Sequence, residues 1–180
     1  MRKLIVSTLA LLFVAPALVR AADADDSVQG QFYSFLAPIL SNIQYGGTTG
    51  GRGGYSTGFG GEVLNHKGVG VGVEFGYAAS LSYSGQGSAL GVGSADVTYH
   101  FLSNKSSKTI DPFLTGGYSL YYGERTTTQS GFNLGGGVNL WLSKHVAPRL
   151  EIRYQGGING IQGIIQFNEY AAFRFGVTFR

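Results

Sequence analysis

The chain has 180 residues, of which 43% are hydrophobic and 13% charged, with 30 glycines, no cysteine and a formal net charge of +3. That length suits one domain, and a fold without cysteine has no disulfides to hold it. The positive excess is carried entirely by Arg2, Lys3 and Arg20, so the rest of the chain is formally neutral and lacks the basic footprint of a nucleic-acid binder.

Residues 1–21 read as a secretory signal peptide. Arg2 and Lys3 precede an apolar run from Leu4 to Val19, and Val19 and Ala21 are the small residues of a cleavage site. Pro16 and Arg20 leave this run short of the roughly 20 apolar residues of a membrane-spanning helix. Residues 22–180 then form one domain, with no later segment apolar enough for a helical span. A membrane crossing by this chain must use strands.

Eight segments with period-two alternation follow, broken by glycine, serine, asparagine or lysine clusters. They run Gln29 to Pro38, Tyr55 to Leu64, Val69 to Tyr77, Gly91 to Phe101, Pro112 to Tyr122, Phe132 to Leu142, Val146 to Gln155, and Tyr170 to Arg180. The first fits either parity, and Pro38 belongs at a strand end. The connections alternate. Asn65 to Gly68, the link with Asn104, Lys105 and Lys108, and Ser143 to His145 are short turns, whereas Ile39 to Gly54, Ala78 to Leu90, Gly123 to Gly131 and Gly156 to Glu169 read as longer loops. Short turns at one end and longer loops at the other are the pattern of an outer-membrane barrel.

Beyond the signal segment every lysine (Lys67, Lys105, Lys108, Lys144) falls in a short turn. A soluble sheet carries lysine on its faces and edges, but lysine at the bilayer midplane costs roughly 2–4 kcal/mol. Parity separates two faces. One is apolar and uncharged, with Val69, Val71, Val73, Phe75, Val97, Leu114, Tyr118, Leu134, Leu150, Ile152, Phe173 and Phe175. Aromatic residues stand at both of its rims: Tyr55, Tyr77, Tyr122, Phe132 and Tyr154 at the loop end, and Tyr99, Phe101 and Phe179 at the turn end. The other mixes glycine with charge. In GVGVGVEFGYAAS (Gly68 to Ser80) valine alternates with glycine, and Glu74 takes a glycine position.

The expected fold is all-β: an eight-stranded antiparallel up-and-down transmembrane β-barrel, apolar outside, rather than a soluble barrel with a greasy interior. Such a barrel is just wide enough to be filled by side chains. Its glycines leave room for Glu62, Glu74, Asp96 and Glu151 against Arg149, Arg153 and Arg174, expected to form an interior ion-pair network because buried charges must be paired. Arginine suits this role because its planar fork reaches two carboxylates at once. The alternative is a set of solvated lumen charges.

The stretch FNLGGGVNLWLSKHVAPRLEIRYQGG (Phe132 to Gly157) and the closing RFGVTFR resemble the small outer-membrane β-barrel family, similar to the transmembrane domain of outer membrane protein A. The resemblance covers nearly all of the chain after the signal segment. It implies contact with outer-membrane lipid and delivery by the barrel-assembly machinery, whose recognition signal would match Gly176 and Phe179. The sequence ends at Arg180, one residue before the second aromatic of that signal. No peptidoglycan-binding domain follows the barrel, so a wall-anchoring role is not implied.

Some barrels of this size modify lipid A, which requires a histidine with a serine or carboxylate at the loop end. His66 and His145 fall in short turns and His100 near the same rim, and Asp96 and His100, four apart on one strand, are too distant for a dyad. No enzyme activity, metal or cofactor is expected. The clusters Gly46-Gly47, Gly50-Gly51 and Gly53-Gly54 lack the lysine and helix of a phosphate loop. The uncharged stretch Ile158 to Phe167 is the candidate for a surface ligand. The expected function is a structural or surface-interaction barrel with a side-chain-filled lumen. A narrow diffusion pore is the alternative, and an outer-leaflet lipid enzyme a more distant one.

Overall fold

The computed structural model describes residues 28–45, 48–80, 89–101, 109–123, 126–157 and 169–180. The expected signal peptide, Lys105, Lys108 and the stretch Ile158 to Phe167 lie outside them. Eight strands are present: β1 (Val28–Tyr45), β2 (Thr48–Asn65), β3 (Val69–Ser80), β4 (Ala89–His100), β5 (Ile110–Gly123), β6 (Thr126–Leu140), β7 (Val146–Gly157) and β8 (Tyr170–Phe179). Each pairs antiparallel with the next, and β8 returns to β1, so the sheet is a closed barrel in sequence order. Closure leaves no free edge within the barrel wall. Among the described residues no helix is long and apolar enough to cross a membrane.

Alternation separates the surfaces sharply. Val71 is 62% exposed and Leu134 63%, while Glu74 and Arg153, on the opposite parity, are 2% and 0% exposed. The outward set also includes Val73, Phe75, Val97, Leu114, Tyr118, Ile152, Phe173 and Phe175. A water-soluble monomer does not expose a continuous apolar surface of that extent; lipid is the solvent that matches it. The polarity inversion is the reverse of a lipocalin-like barrel.

The parity of β1, open in the sequence, is decided by its neighbours. Gln31, Tyr33, Phe35, Ala37 and Ile39 point inward, and Leu36 and Leu40 outward. Two of the expected loops are largely strand. The Ile39 to Gly54 segment continues β1 and β2, which pair from Val28 with Asn65 to Tyr45 with Thr48. Likewise β6 begins at Thr126 rather than Phe132, and it ends at Leu140, two residues before the expected Leu142. A transmembrane strand needs about 9–11 residues, so the 18-residue β1 and β2 rise past the apolar belt. There β2 has no β3 partner before Gly54 and β1 none in β8 beyond Ser41. Backbone pairing continues through this ribbon, and its β2 half, Thr48 to Gly54, holds no apolar residue in the sequence, which is why period two is lost there.

The turns at the opposite end are locally encoded. Asn65 Oδ1 accepts the backbone N–H of Lys67 and Val69 at 2.9 and 3.0 Å, and the Gly68 N–H donates to the Asn65 carbonyl at 2.9 Å. Gly68 has φ = +83°, and a Cβ there would lie 2.1 Å from the His100 carbonyl oxygen. Gly68→Ala is expected to cost about 1 kcal/mol or more. Urea unfolding in detergent micelles, followed by fluorescence of Trp141, the single tryptophan, measures it.

Candidate functional site

The barrel interior gathers the charged side chains of six strands. Glu62 comes from β2, Glu74 from β3, Asp96 from β4, Arg149, Glu151 and Arg153 from β7, and Arg174 from β8, all with little or no exposure. Asp111 of β5, which fell just outside the expected strand because that began at Pro112, is also buried there.

Arg153 sits at the hub. Its Nε donates to Glu151 Oε1. Its Nη1 donates to Asn133 Oδ1 at 2.9 Å and Asp96 Oδ2 at 3.2 Å, and its Nη2 faces Glu74 Oε2 at 3.6 Å. Arg174 Nη1 donates to the same Glu74 oxygen at 2.8 Å, and Tyr33 Oη donates to it at 3.0 Å. Arg149 Nε donates to Glu151 Oε2 at 3.0 Å, and its Nη1 lies 3.6 Å from Glu62 Oε1. Glu151 thus binds Arg149 and Arg153 through its two oxygens, linking the upper and lower parts of the cluster.

Charge alone does not fill the lumen. The Arg149 guanidinium lies between the rings of Tyr33 and Phe113, 4.2 and 3.9 Å from their centroids, and that of Arg174 lies 4.0 Å from the Phe35 centroid. Cation–π contacts of this kind strengthen when water is excluded. The wall makes room for the rings at glycines: a Cβ on Gly60 would stand 2.5 Å from Tyr33 Cζ, one on Gly58 2.8 Å from Phe35 Cζ, and one on Gly137 2.8 Å from Phe113 Cζ. Those inward aromatics are what the strand glycines accommodate. The sequence signal for Phe113 was its parity with Thr115, on the face opposite Leu114.

Towards the turn end, His100 is held between two carboxylates. Its Nδ1 lies 2.8 Å from Asp111 Oδ2 and its Nε2 3.5 Å from Glu62 Oε2. Thr98 Oγ1 donates to the same Glu62 oxygen at 2.7 Å, Asn139 Nδ2 approaches Asp111 at 3.4 Å, and Thr178 Oγ1 donates to Asn139 at 3.0 Å. These groups flank the histidine rather than converging on a common centre, and no metal-holding group of three occurs among the described residues. Asp96 is completed by Asn133 Nδ2 at 2.7 Å, which also donates to Ser119 Oγ at 3.0 Å. At the loop end, the recess bordered by Phe35, Ser56, Glu74, Gln155, Tyr170 and Arg174 holds no space for a water-sized sphere.

No family model and no curated protein matches the sequence. The structure of Neisserial surface protein A (NspA) matches over 86% of this chain and 99% of its own, with a TM-score of 0.69 and 15% identity. The fold is that of the small eight-stranded outer-membrane barrels. The outer-membrane protein OprG from Pseudomonas aeruginosa agrees with this outer-membrane barrel over 85% of the present chain and 95% of its own, at a TM-score of 0.51 and 12% identity. At such identities the shared property is architecture, and the chemistry of this barrel's interior is set by its own residues.

The remaining expected positions lie at the turn-end rim. Gly176 pairs with Phe35 of β1, and Phe179 pairs with Phe32 and with Val146 of β7. Arg180 folds across the rim. Its guanidinium carbon is 4.0 Å from the ring of buried Trp141, and its Nε donates to the Lys144 carbonyl at 2.9 Å. Of the three histidines, His66 and His145 are exposed at this rim and His100 is sealed inside.

Proposed function

We propose that this chain is an exported structural or surface-interaction barrel of the bacterial outer membrane whose lumen is closed to solutes. The observation that carries the reading is the buried cluster around Arg153, in which three arginines and the carboxylates facing them occupy the barrel axis and are packed against Tyr33, Phe35 and Phe113. A diffusion pore needs a continuous wet path, and opening one here would strip partners from charges that are costly to leave unpaired. In planar bilayers the folded protein is expected to show no steady conductance; regular single-channel steps would favour the pore.

The reading is also non-enzymatic. The sole buried histidine, His100, is committed to Asp111 and Glu62 at the end of the barrel away from the loops, beyond reach of an outer-leaflet lipid. Residues 1–21 act in this reading as the export signal, and Gly176 with Phe179 as the signal to the assembly machinery. Deleting the Gly176 to Arg180 segment is the corresponding test of assembly, read as loss of the heat-modifiable folded band in the membrane fraction.

A further inference from the structure

The distribution of exposed charge between the two ends is unequal, and neither the fold nor the filled lumen requires it. Among the described residues, Glu62, Glu74, Asp96, Asp111 and Glu151 are all buried in the lumen, and exposed Glu169 stands at the loop end. The described turn-end surface therefore presents cations with no exposed acidic side chain. Lys67 and Lys144 are exposed there, each two residues from an exposed apolar side chain, Val69 at 42% and Leu142 at 76%.

This spacing sets each ammonium group just past the apolar belt. Tyr99 and Phe101 mark the same level, packed edge to face with centroids 4.9 Å apart. A lysine whose stem lies along apolar surface extends its head into the headgroup layer. Lys144 is further fixed in place because its carbonyl accepts Arg180 Nε at 2.9 Å, and the neighbouring His145 carbonyl accepts the Arg180 backbone N–H at 3.1 Å. The turn that carries the charge is thereby tied to the end of β8.

We propose that the turn-end rim, through Lys67 and Lys144, binds the anionic headgroups of inner-leaflet phospholipids. The proposal rests on the outer-membrane reading, in which short turns face the periplasm. Each lysine near an anionic surface contributes about 1 kcal/mol of attraction, which is screened by salt. The rim would surround the barrel with a selected annulus of negatively charged lipid, anchoring its depth and tilt.

The test uses the full chain folded into phosphatidylcholine vesicles that contain traces of spin-labelled phosphatidylglycerol or spin-labelled phosphatidylcholine. The fraction of each label immobilised at the protein is read by electron paramagnetic resonance. Phosphatidylglycerol is expected to be preferred, by up to about five-fold for each lysine engaged, and the preference to fall toward parity in Lys67→Gln/Lys144→Gln and in high salt. Equal immobilisation of both labels by the unmodified chain, or a full preference retained in the double variant, overturns the proposal. So does a preference that emerges only in Asp23→Asn/Asp25→Asn/Asp26→Asn, which would make the chain's own acidic stretch Asp23 to Asp26, ahead of β1 in the sequence, the occupant of the rim. Mobility before and after boiling is recorded for every sample: a chain that never gives a heat-modifiable band fails the membrane-barrel reading itself, whereas a folded, inserted chain without lipid preference fails only this inference.

Discussion

Arg153→Met is expected to destabilise the folded barrel by about 3–5 kcal/mol, the scale for breaking a buried ion pair by removing one partner. The arginine serves Glu74, Asp96 and Asn133 from three other strands and Glu151 from its own. Methionine keeps most of the volume but leaves buried Asp96 without an arginine, and Glu74 and Glu151 each with one cationic partner fewer. The loss exceeds the net worth of the pairs, because desolvated charge is left uncompensated. Urea unfolding of the protein in lipid vesicles measures the effect, and a change below about 1 kcal/mol, within the range of ordinary surface substitutions and mild core changes, would show that the lumen charges are solvated. Arg153→Lys should fall in between: the charge remains, but one ammonium cannot reproduce a planar fork directed at several carboxylates.

The second large effect concerns the glycine face. Gly60→Ala is expected to cost about 1–3 kcal/mol through overpacking, since the new methyl would lie 2.5 Å from Tyr33 Cζ and 2.6 Å from its hydroxyl oxygen. Moving Tyr33 disturbs its bond to Glu74 and its stacking on Arg149. Gly61→Ala is the internal control, because that Cβ points outward and meets nothing closer than the Gln31 carbonyl oxygen at 3.5 Å; its effect should stay within about 0.5 kcal/mol. In a Tyr33→Leu background the penalty of Gly60→Ala should shrink, a non-additivity expected only of residues in contact. Equal effects at Gly60 and Gly61 would mean that Tyr33 does not occupy the space attributed to it.

Much of the architecture was legible in the amino-acid order because lipid imposes a rule on every second residue. Val71, Val73 and Phe75 could only share one surface, and Gly70, Gly72 and Glu74 the other. The confinement of lysine to the turns decided which surface met hydrocarbon. Where the chain leaves the bilayer the rule lapses. The upper parts of β1 and β2 carry no such alternation, and they looked like a loop although their backbones pair without interruption to Tyr45 and Thr48.

The interior was legible in kind and not in arrangement. That Glu74 would face the lumen follows from its position among the glycines, but its partner Arg174 lies 100 residues away in the sequence. Only closure of β8 onto β1 and the register of the β7–β8 pairing bring the two together. The inward parity of Tyr33 and Phe35, the inclusion of Asp111, and the placement of His100 between Asp111 and Glu62 belong to the same class. Alternation is a property of one strand and can be read locally, so the sequence by itself determined a lipid-facing barrel with a polar interior. Which charges meet depends on register summed around a closed sheet, a long-range quantity that no single strand contains, and that part was decided by the tertiary structure alone.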